Sequence, residues 1–549
     1  MTVFPVRVVR QSPYAIAMLI AAAGAALLVV QWAGGRMFWV DEEMIAINLR
    51  DRSISGLAGQ LSLGQAAPYL WLVLQRILLV LFGTGERVLR FLPMAFGVAT
   101  LAVAVWIGRR SMTPVGAAAL LFLCSIGQWL SFHALELKHY SADACFALLL
   151  PALTVWATDS TGSDRGVNRR TLTWWIAAAL AQWVANGALF VTPACAVVLV
   201  LVAVRRAGWR GGVKAALPAS IWLASFAVNY AIALGPARAS PFLRSFWTGA
   251  FPPADAGIAG TSRWLADQVT ALAVKPGGSG FGLVFWGVAA VGVASAPRYP
   301  AAFRLAFGLV PLSAFAWTAM RLVPMYERLS LWIVPALYVG IAMATEVMVA
   351  LVRQARGRSS WIQPAAGAAA AALLLAMFVD IYVRGMTYVR LGRHVANHEL
   401  DDRAAVRWLA RRREPGDAWL TTHLGLPAIW WYAAPIDPVE TFEVSWQSGD
   451  RDCGADDIAT LKRDDRRRLL VYLGFDTDAG FRDALVARLG SLGMVVAYRP
   501  FADRGHALIV DLRQSSTVPP TLSSLSATPP DRTGPPLDGC LAVAPAQHW

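Results

Sequence analysis

About eleven stretches of mostly apolar residues, each near the length needed to cross a bilayer, constrain this chain more than any other feature. They run over 14–33, 90–107, 114–132, 141–157, 171–186, 188–204, 215–235, 280–296, 303–321, 329–352 and 362–383. A spanning helix needs about 20 such residues. Hydrocarbon offers the backbone no hydrogen bonds, so each stretch must be helical. Charged residues make up only 15% of the chain, against about 25% in soluble domains. That excludes an ordinary cytosolic enzyme and a disordered, collagen-like or disulfide-framework chain. The run at 68–82 is shorter, begins at Pro68 and carries Gln75 and Arg76 mid-segment. It reads as an interfacial or re-entrant helix. The first stretch is too long for a signal peptide and lacks an A-x-A-like cleavage site.

The net charge of +14 could point to nucleic acid, but its distribution argues otherwise. With the N-terminus inside, the inner connections hold Arg7 and Arg10, Arg109 and Arg110, Arg165, Arg169 and Arg170, Arg205, Arg206, Arg210 and Lys214, Arg298 and Arg304, and Arg353, Arg356 and Arg358. Every second connection is basic, as cytoplasmic loops are. The charge is a topology signal, and no nucleic-acid partner is expected. The fold class is therefore a polytopic α-helical membrane protein with about eleven transmembrane helices. Residues 1–384 form the transmembrane domain, with outer loops at 34–89 and 236–279.

The region from 385 is more polar and reads as a small C-terminal α/β extracytoplasmic domain over 385–514. A helix is expected over 401–413, a turn at Pro415-Gly416-Asp417, strands at 418–421, 469–473, 494–498 and 507–512, and a helix over 479–489. Residues 515–549 are rich in Pro, Ser and Thr and read as a disordered tail. Cys124, Cys145 and Cys195 fall in spans as small packing residues, whereas Cys453 and Cys540 fall where a disulfide could form. No His/Cys spacing reads as a zinc site.

Three constellations could carry chemistry. Trp39-Val40-Asp41-Glu42-Glu43 follows the first span. Its acids could simply favour a helix start, or supply a general base at a membrane surface. They could also hold a divalent cation, though none is obligatory. Glu136-Leu137-Lys138-His139-Tyr140, with Asp143, lies at the outer end of a span. Glu136 and Tyr140 share a helix face, as do His139 and Asp143. This is either a snorkelling surface pair or a polar pocket for an anionic headgroup. Arg321 and Tyr326-Glu327-Arg328, with Arg36 and Arg90 on the same side, break the inside-positive pattern. They are either interfacial anchors or phosphate-holding groups. The loop 236–279, with Trp247, Phe251-Pro252-Pro253 and a helix over 262–274, reads as a connector or as an interfacial lid.

The order of these features resembles the GT-C class of membrane glycosyltransferases, in the branch of protein O-mannosyltransferases and lipid A aminoarabinose transferase. The matching pieces are Asp41-Glu42 after the first helix, the aromatic stretch 67–72, the run from Leu81-Phe82-Gly83 through Glu86, Arg87 and Arg90 to Pro93, Glu136 to Tyr140, and Pro324 to Arg328. In the tail, Asp402-Arg403, Trp408-Leu409 and Pro415-Gly416-Asp417 match. The match covers roughly 10–435. One departure is Gln65-Ala66-Ala67-Pro68, where many relatives have His-Pro-Pro.

The resemblance implies a multi-pass protein of the bacterial inner membrane that transfers a sugar from a polyprenyl-phosphate donor on the outer face. The acceptor would be a hydroxyl of a lipid, glycan or protein. Asp41 and Glu42 would be the catalytic acids. Arg90, Glu136, Lys138, His139, Tyr140, Asp143, Arg321, Tyr326 and Arg328 would bind substrate. Direct displacement inverts the anomeric centre, unlike the paired-carboxylate route of retaining hydrolysis. A flippase of lipid-linked sugars would show internal repeats and helices broken mid-membrane, and the sequence shows neither. A non-catalytic scaffold is the remaining alternative.

The topology has a direct test. A reporter fused after Gly385 should work only if it is outside the cytoplasm, and a fusion active solely as a cytoplasmic enzyme would overturn the alternation.

Overall fold

The computed structural model describes residues 13–159, 164–355, 362–391, 400–434, 441–445, 461, 466–474, 479–502, 505–514 and 540–543. The chain divides into two compact units. One contains the residues up to Gly34 together with Ile54–Arg390; the other contains Gly35–Ser53 together with the chain from Leu391.

The first unit is helical, and the protein is a multi-pass membrane protein. Among its described residues, seven helical runs are long and apolar enough to cross a membrane. They are Ala15–Ala33, Glu86–Ser111, Tyr140–Thr158, the interrupted run Gly187–Ala239, Ala301–Ala319, Glu327–Arg353 and Gly367–Arg390. Three shorter apolar helices, Tyr69–Phe82, Pro114–Ile126 and Leu283–Ser295, accompany them. Some predicted stretches are subdivided. The stretch 114–132 becomes Pro114–Ile126 and Gln128–His133. The stretch 215–235 becomes Ala219–Asn229 and a π-helical turn, Tyr230–Leu234. Small residues let helices close on one another, as is common in lipid. Leu283–Ser295 packs on Val334–Ala355 so tightly that a Cβ on Gly292 would collide with the Gly340 carbonyl.

At the end of the bundle that carries the basic connections, polar groups are paired. Arg110 meets Asp159 at 2.7 Å. Buried Glu346 accepts from the backbone N–H of Thr113 at 2.5 Å, from its hydroxyl at 2.7 Å and from the Tyr299 hydroxyl at 2.6 Å. One carboxylate thus ties the connections at Thr113 and Tyr299 to helix Val334–Ala355.

The second unit is a three-layer α/β fold. Its strands are β1 (Ala418–Thr422), β2 (Thr441–Ser445), β3 (Arg468–Leu473), β4 (Met494–Phe501), β5 (Gly505–Asp511) and β6 (Cys540–Val543). The sheet order is β4-β5-β3-β1-β2-β6. β1 runs parallel to β2 and β3, while β5 is antiparallel to β3 and β4, and β6 antiparallel to β2. Side chains alternate across each strand. Leu469, Val471 and Leu473 face a core shared with Leu485, Val486 and Leu489 of helix Ala479–Leu492. Leu470 and Tyr472 face the opposite core, with Trp408 and Leu409 of helix Asp402–Ala410 and Ile429 of helix Leu426–Tyr432. Covering both faces suits a sheet with a parallel centre.

The helix and strand expectations over 401–512 fit this unit closely. β2 and β6 were not expected. β6 falls inside the stretch 515–549 read as a disordered tail, and its apolar run Cys540-Leu541-Ala542-Val543 pairs with the edge of β2. Cys453, and with it the suggested disulfide, lies outside the described residues.

The tail motif has structural work. Asp417 is buried and bound twice by Arg468, with Nε to Oδ1 at 3.0 Å and Nη2 to Oδ2 at 2.6 Å. Asp401 caps helix Asp402–Ala410 by accepting from the Ala404 N–H at 3.0 Å. Asp402 is buried and accepts a hydrogen bond from the Tyr472 hydroxyl. Burial pushes the Asp402 carboxyl up to about 7. The fold therefore favours the protonated acid. That stabilising contribution is complete below pH 3.8 and is lost as the pH rises through about 7. In the full-length protein, amide-exchange protection of β3, corrected for intrinsic exchange, should fall between pH 4 and pH 8. Asp402→Asn should flatten that decline; an unchanged pH slope in the variant would show that Asp402 does not titrate with the fold.

Candidate active site

In the first unit, five of the residues expected to bind substrate lie in one turn. Helix Gln128–His133 ends and helix Tyr140–Thr158 begins there. Glu136, Lys138, His139, Tyr140 and Asp143 are all buried, so the snorkelling surface pair is not what forms. His133 Nδ1 and Glu136 Oε2 are 2.7 Å apart. Lys138 Nζ donates to Gln65 Oε1 at 2.7 Å. The Tyr140 ring packs between His133 and His139, at centroid distances of 5.0 and 4.8 Å. His139 Nε2 lies 3.5 Å from Asp143 Oδ2 and 3.2 Å from Asn186 Nδ2. Asp143 Oδ1 accepts from the Gly187 N–H at 2.8 Å, at the start of helix Gly187–Ala216. That satisfies one of the open amides of a helix N-terminus.

Gly187 is required by space. A Cβ there would stand 2.7 Å from the Trp332 Cβ and 3.1 Å from the Asp143 Cβ. Trp332 belongs to the 3-10 helix Glu327–Ile333, which packs on helix Tyr140–Thr158. The turn 133–143 and the segment carrying Arg328 are therefore neighbours through Asp143, Gly187 and Trp332. Arg90 is buried in the first turns of helix Glu86–Ser111.

The second arginine segment is held by the outer loop. The Met325 N–H donates to the Ala250 carbonyl at 2.7 Å. Tyr326 and Arg328 both contact the Trp247 ring, at 5.5 and 6.0 Å. Arg321, at φ 56°, donates to the Pro252 carbonyl and lies over Phe251. Lys275 pairs with Glu327 at 3.0 Å. Helix Gly257–Val274 occupies much of 236–279, with Leu272 buried and Trp264, Leu265 and Val269 half-buried. The loop is a packed element tied at several points to the Arg321–Arg328 segment. The guanidinium of Arg321 serves that attachment.

Asp41 and Glu42 lie in the second unit, on helix Val40–Asp51. The helix is fixed by its neighbours there. The Phe38 N–H donates to the Tyr432 hydroxyl at 2.9 Å. Arg50 donates to the Trp430 carbonyl at 2.7 Å and covers the Trp431 ring. Successive helical residues point about 100° apart, so the three acids diverge. Glu42 Oε2 accepts from the Trp39 N–H at 2.9 Å, capping its own helix. Glu43 is fully buried, and the Tyr472 hydroxyl is pushed up by burial first, then by Asp402, with Glu43 a smaller contributor. Asp41 is half-buried. Among the described residues, no three His, Cys, Asp or Glu side chains cluster as a metal site, and the acid triplet does not converge as a cation site would.

Sequence reading had no means of pairing His133, Gln65, Asn186 and Gly187 with the turn. Gln65 stands where the family motif departs, which is the one signal that marks it.

No protein-family model and no curated protein matches the sequence. Solved structures do match in fold. ArnT from Cupriavidus metallidurans in the apo state aligns with a TM-score of 0.54 at 15% identity, covering 91% of this chain and 98% of that one. ArnT bound to undecaprenyl phosphate aligns at 0.50 and 15% identity, covering 90% and 97%. The chain has the GT-C fold of these membrane glycosyltransferases.

The packing around Gly187 yields a prediction. Gly187→Ala should destabilise the purified protein by about 1–3 kcal/mol through overpacking, read as a lower melting temperature. An unaltered melting curve would mean that Trp332 and Asp143 yield freely and that the turn is not held there.

Proposed function

We propose that this chain is a glycosyltransferase of the bacterial inner membrane, moving a sugar from a polyprenyl-phosphate donor to an acceptor hydroxyl on the outer face. The observation that carries the reading is the buried polar turn of Glu136, Lys138, His139, Tyr140 and Asp143 at one end of an apolar helix, in a chain with the fold of ArnT. ArnT has been solved with undecaprenyl phosphate. The opposite end of the same helix adjoins the Arg110–Asp159 pair and the basic connections, which supports an outward site and an inner N-terminus.

In this reading Asp41 is the general base. It takes the proton of the acceptor hydroxyl as the acceptor oxygen bonds to the anomeric carbon. The bond from that carbon to the phosphate oxygen breaks, and polyprenyl phosphate leaves with the electron pair. One displacement inverts the anomeric centre. Glu42, committed to its helix cap, supports Asp41 by fixing the helix start. Lys138 and Arg328 stabilise the charge gained by the departing phosphate, with Arg90 and Arg321 as further cations and Glu136, His139, Tyr140, Asp143 and Tyr326 shaping the site. Fixed cations in a partly dry site stabilise such charge more than water does. The acceptor can be lipid, glycan or protein. No metal step is needed for this chemistry.

Transfer from a polyprenyl-phosphate sugar by the reconstituted full-length protein is the test. Asp41→Asn should abolish product with the melting temperature unchanged. Arg328→Ala should slow turnover at least a hundredfold, at about 1.4 kcal/mol of barrier per tenfold. Undiminished product from Asp41→Asn removes that residue from the mechanism. Lipid movement without a new glycosidic bond would identify a flippase instead.

A further inference from the structure

The short helix Tyr69–Phe82 carries an anomaly that the proposed transfer step leaves unused. Gln75 sits in its middle, fully buried, and neither its amide oxygen nor its amide nitrogen has a hydrogen-bond partner. Trp71 lies one helical turn earlier, on the same face. It too is fully buried, and its indole N–H is unpartnered. The Trp71 ring meets the His139 ring edge-on at 6.2 Å. His139 is buried with Nε2 engaged by Asn186 and Asp143, while Nδ1 has no partner.

Buried polar groups in folded proteins are nearly always satisfied, because an unmet donor or acceptor loses its water without replacement. Four such atoms, on Trp71, on His139 beside it and on Gln75 one turn along the same helix face, ask for a partner from outside the chain. A lipid tail cannot supply it, having no polar atoms.

We infer that Trp71, Gln75 and His139 form a neutral hydrogen-bonding subsite that receives ring hydroxyls of the donor sugar, an inference that rests on the transferase reading above. The chemistry of the three groups selects the ligand. An amide both donates and accepts, and an indole only donates. A hydroxyl, which does both, matches that set. Neither Trp71 nor Gln75 is ionisable, so the pair offers nothing to balance an ammonium or a carboxylate on the sugar. The nearby Asp143 has Oδ1 committed to the Gly187 N–H. His139 adjoins Lys138 in sequence, and a sugar is joined to its phosphate by a single bridging oxygen. A phosphate held by Lys138 would carry its sugar into this neighbourhood. The subsite therefore favours a neutral, hydroxyl-bearing sugar over an amino sugar.

The test uses the full-length protein in lipid nanodiscs with three probes: polyprenyl phosphate mannose, polyprenyl phosphate 4-amino-4-deoxyarabinose and sugar-free polyprenyl phosphate. The wild type should transfer mannose in preference to the amino sugar. Gln75→Leu should raise KM for the mannose donor about tenfold or more, and Trp71→Phe should raise it in the same direction. Binding of sugar-free polyprenyl phosphate should be the same in all three proteins, which shows that the variants fold. Gln75→Leu should also melt at the same temperature as wild type or higher, because it removes an unpaired buried amide without removing a contact. A lower melting temperature with unchanged KM would mean that Gln75 is served by water and is structural, and the subsite falls. Preference for the amino-sugar donor would overturn the neutral subsite while leaving the transferase reading standing. Transfer from neither donor, with lipid binding intact, would remove the transferase reading and this inference with it.

Discussion

Hydrocarbon solvates no hydrogen bond, and most of the first unit follows from that. A backbone in lipid must satisfy its own N–H and C=O groups, which leaves helices as the only option for a chain without a closed barrel. Charged side chains are then driven to the helix ends or into buried partnerships. Both outcomes occur here. At the basic end, Arg110 pairs with Asp159, and Glu346 gathers Thr113 and Tyr299. At the other end, the turn 133–143 pairs His133 with Glu136, Lys138 with Gln65, and Asp143 with the Gly187 amide. The polar turn is a concentrated exception inside an apolar unit.

The second unit obeys the rules of water. Its sheet is covered on both faces, and its polar residues close local gaps. Asp401 caps a helix, Asp417 receives Arg468, and Asp402 receives the Tyr472 hydroxyl. Each polar residue of the Asp402…Trp408…Asp417 pattern that resembles the family thus has a structural partner in this unit.

The acid triplet shows how one feature separates into different roles. Side by side in sequence, Asp41, Glu42 and Glu43 suggest a common purpose. Helical geometry turns them about 100° apart. Glu42 answers the open amide of Trp39, Glu43 is buried toward Tyr472, and Asp41 is left half-buried. The favoured-first-turn reading applies to Glu42, whose carboxylate caps the helix start, and the general-base reading is a proposal for Asp41 alone.

Hydrophobic period and length alone determined the helical membrane class, the placement of the main spans and most of the tail's elements. Those signals are local: a long run of apolar residues states its own solvent, and the short apolar run 469–473 states its own strand. β2 and β6 escaped because each is short and takes its place from pairing, β2 between β1 and β6, and β6 on β2. The membership of Gly35–Ser53 in the second unit was equally hidden, since it rests on Phe38 and Arg50 meeting residues nearly four hundred positions later. In the candidate site, the sequence marked the turn 136–143 by its unusual charge, and Gln75 by its polarity within an apolar run. Which groups those residues would meet was decided by tertiary packing. Gln65 and the pair Asn186-Gly187 come from two distant segments, and only the folded chain brings them to one turn.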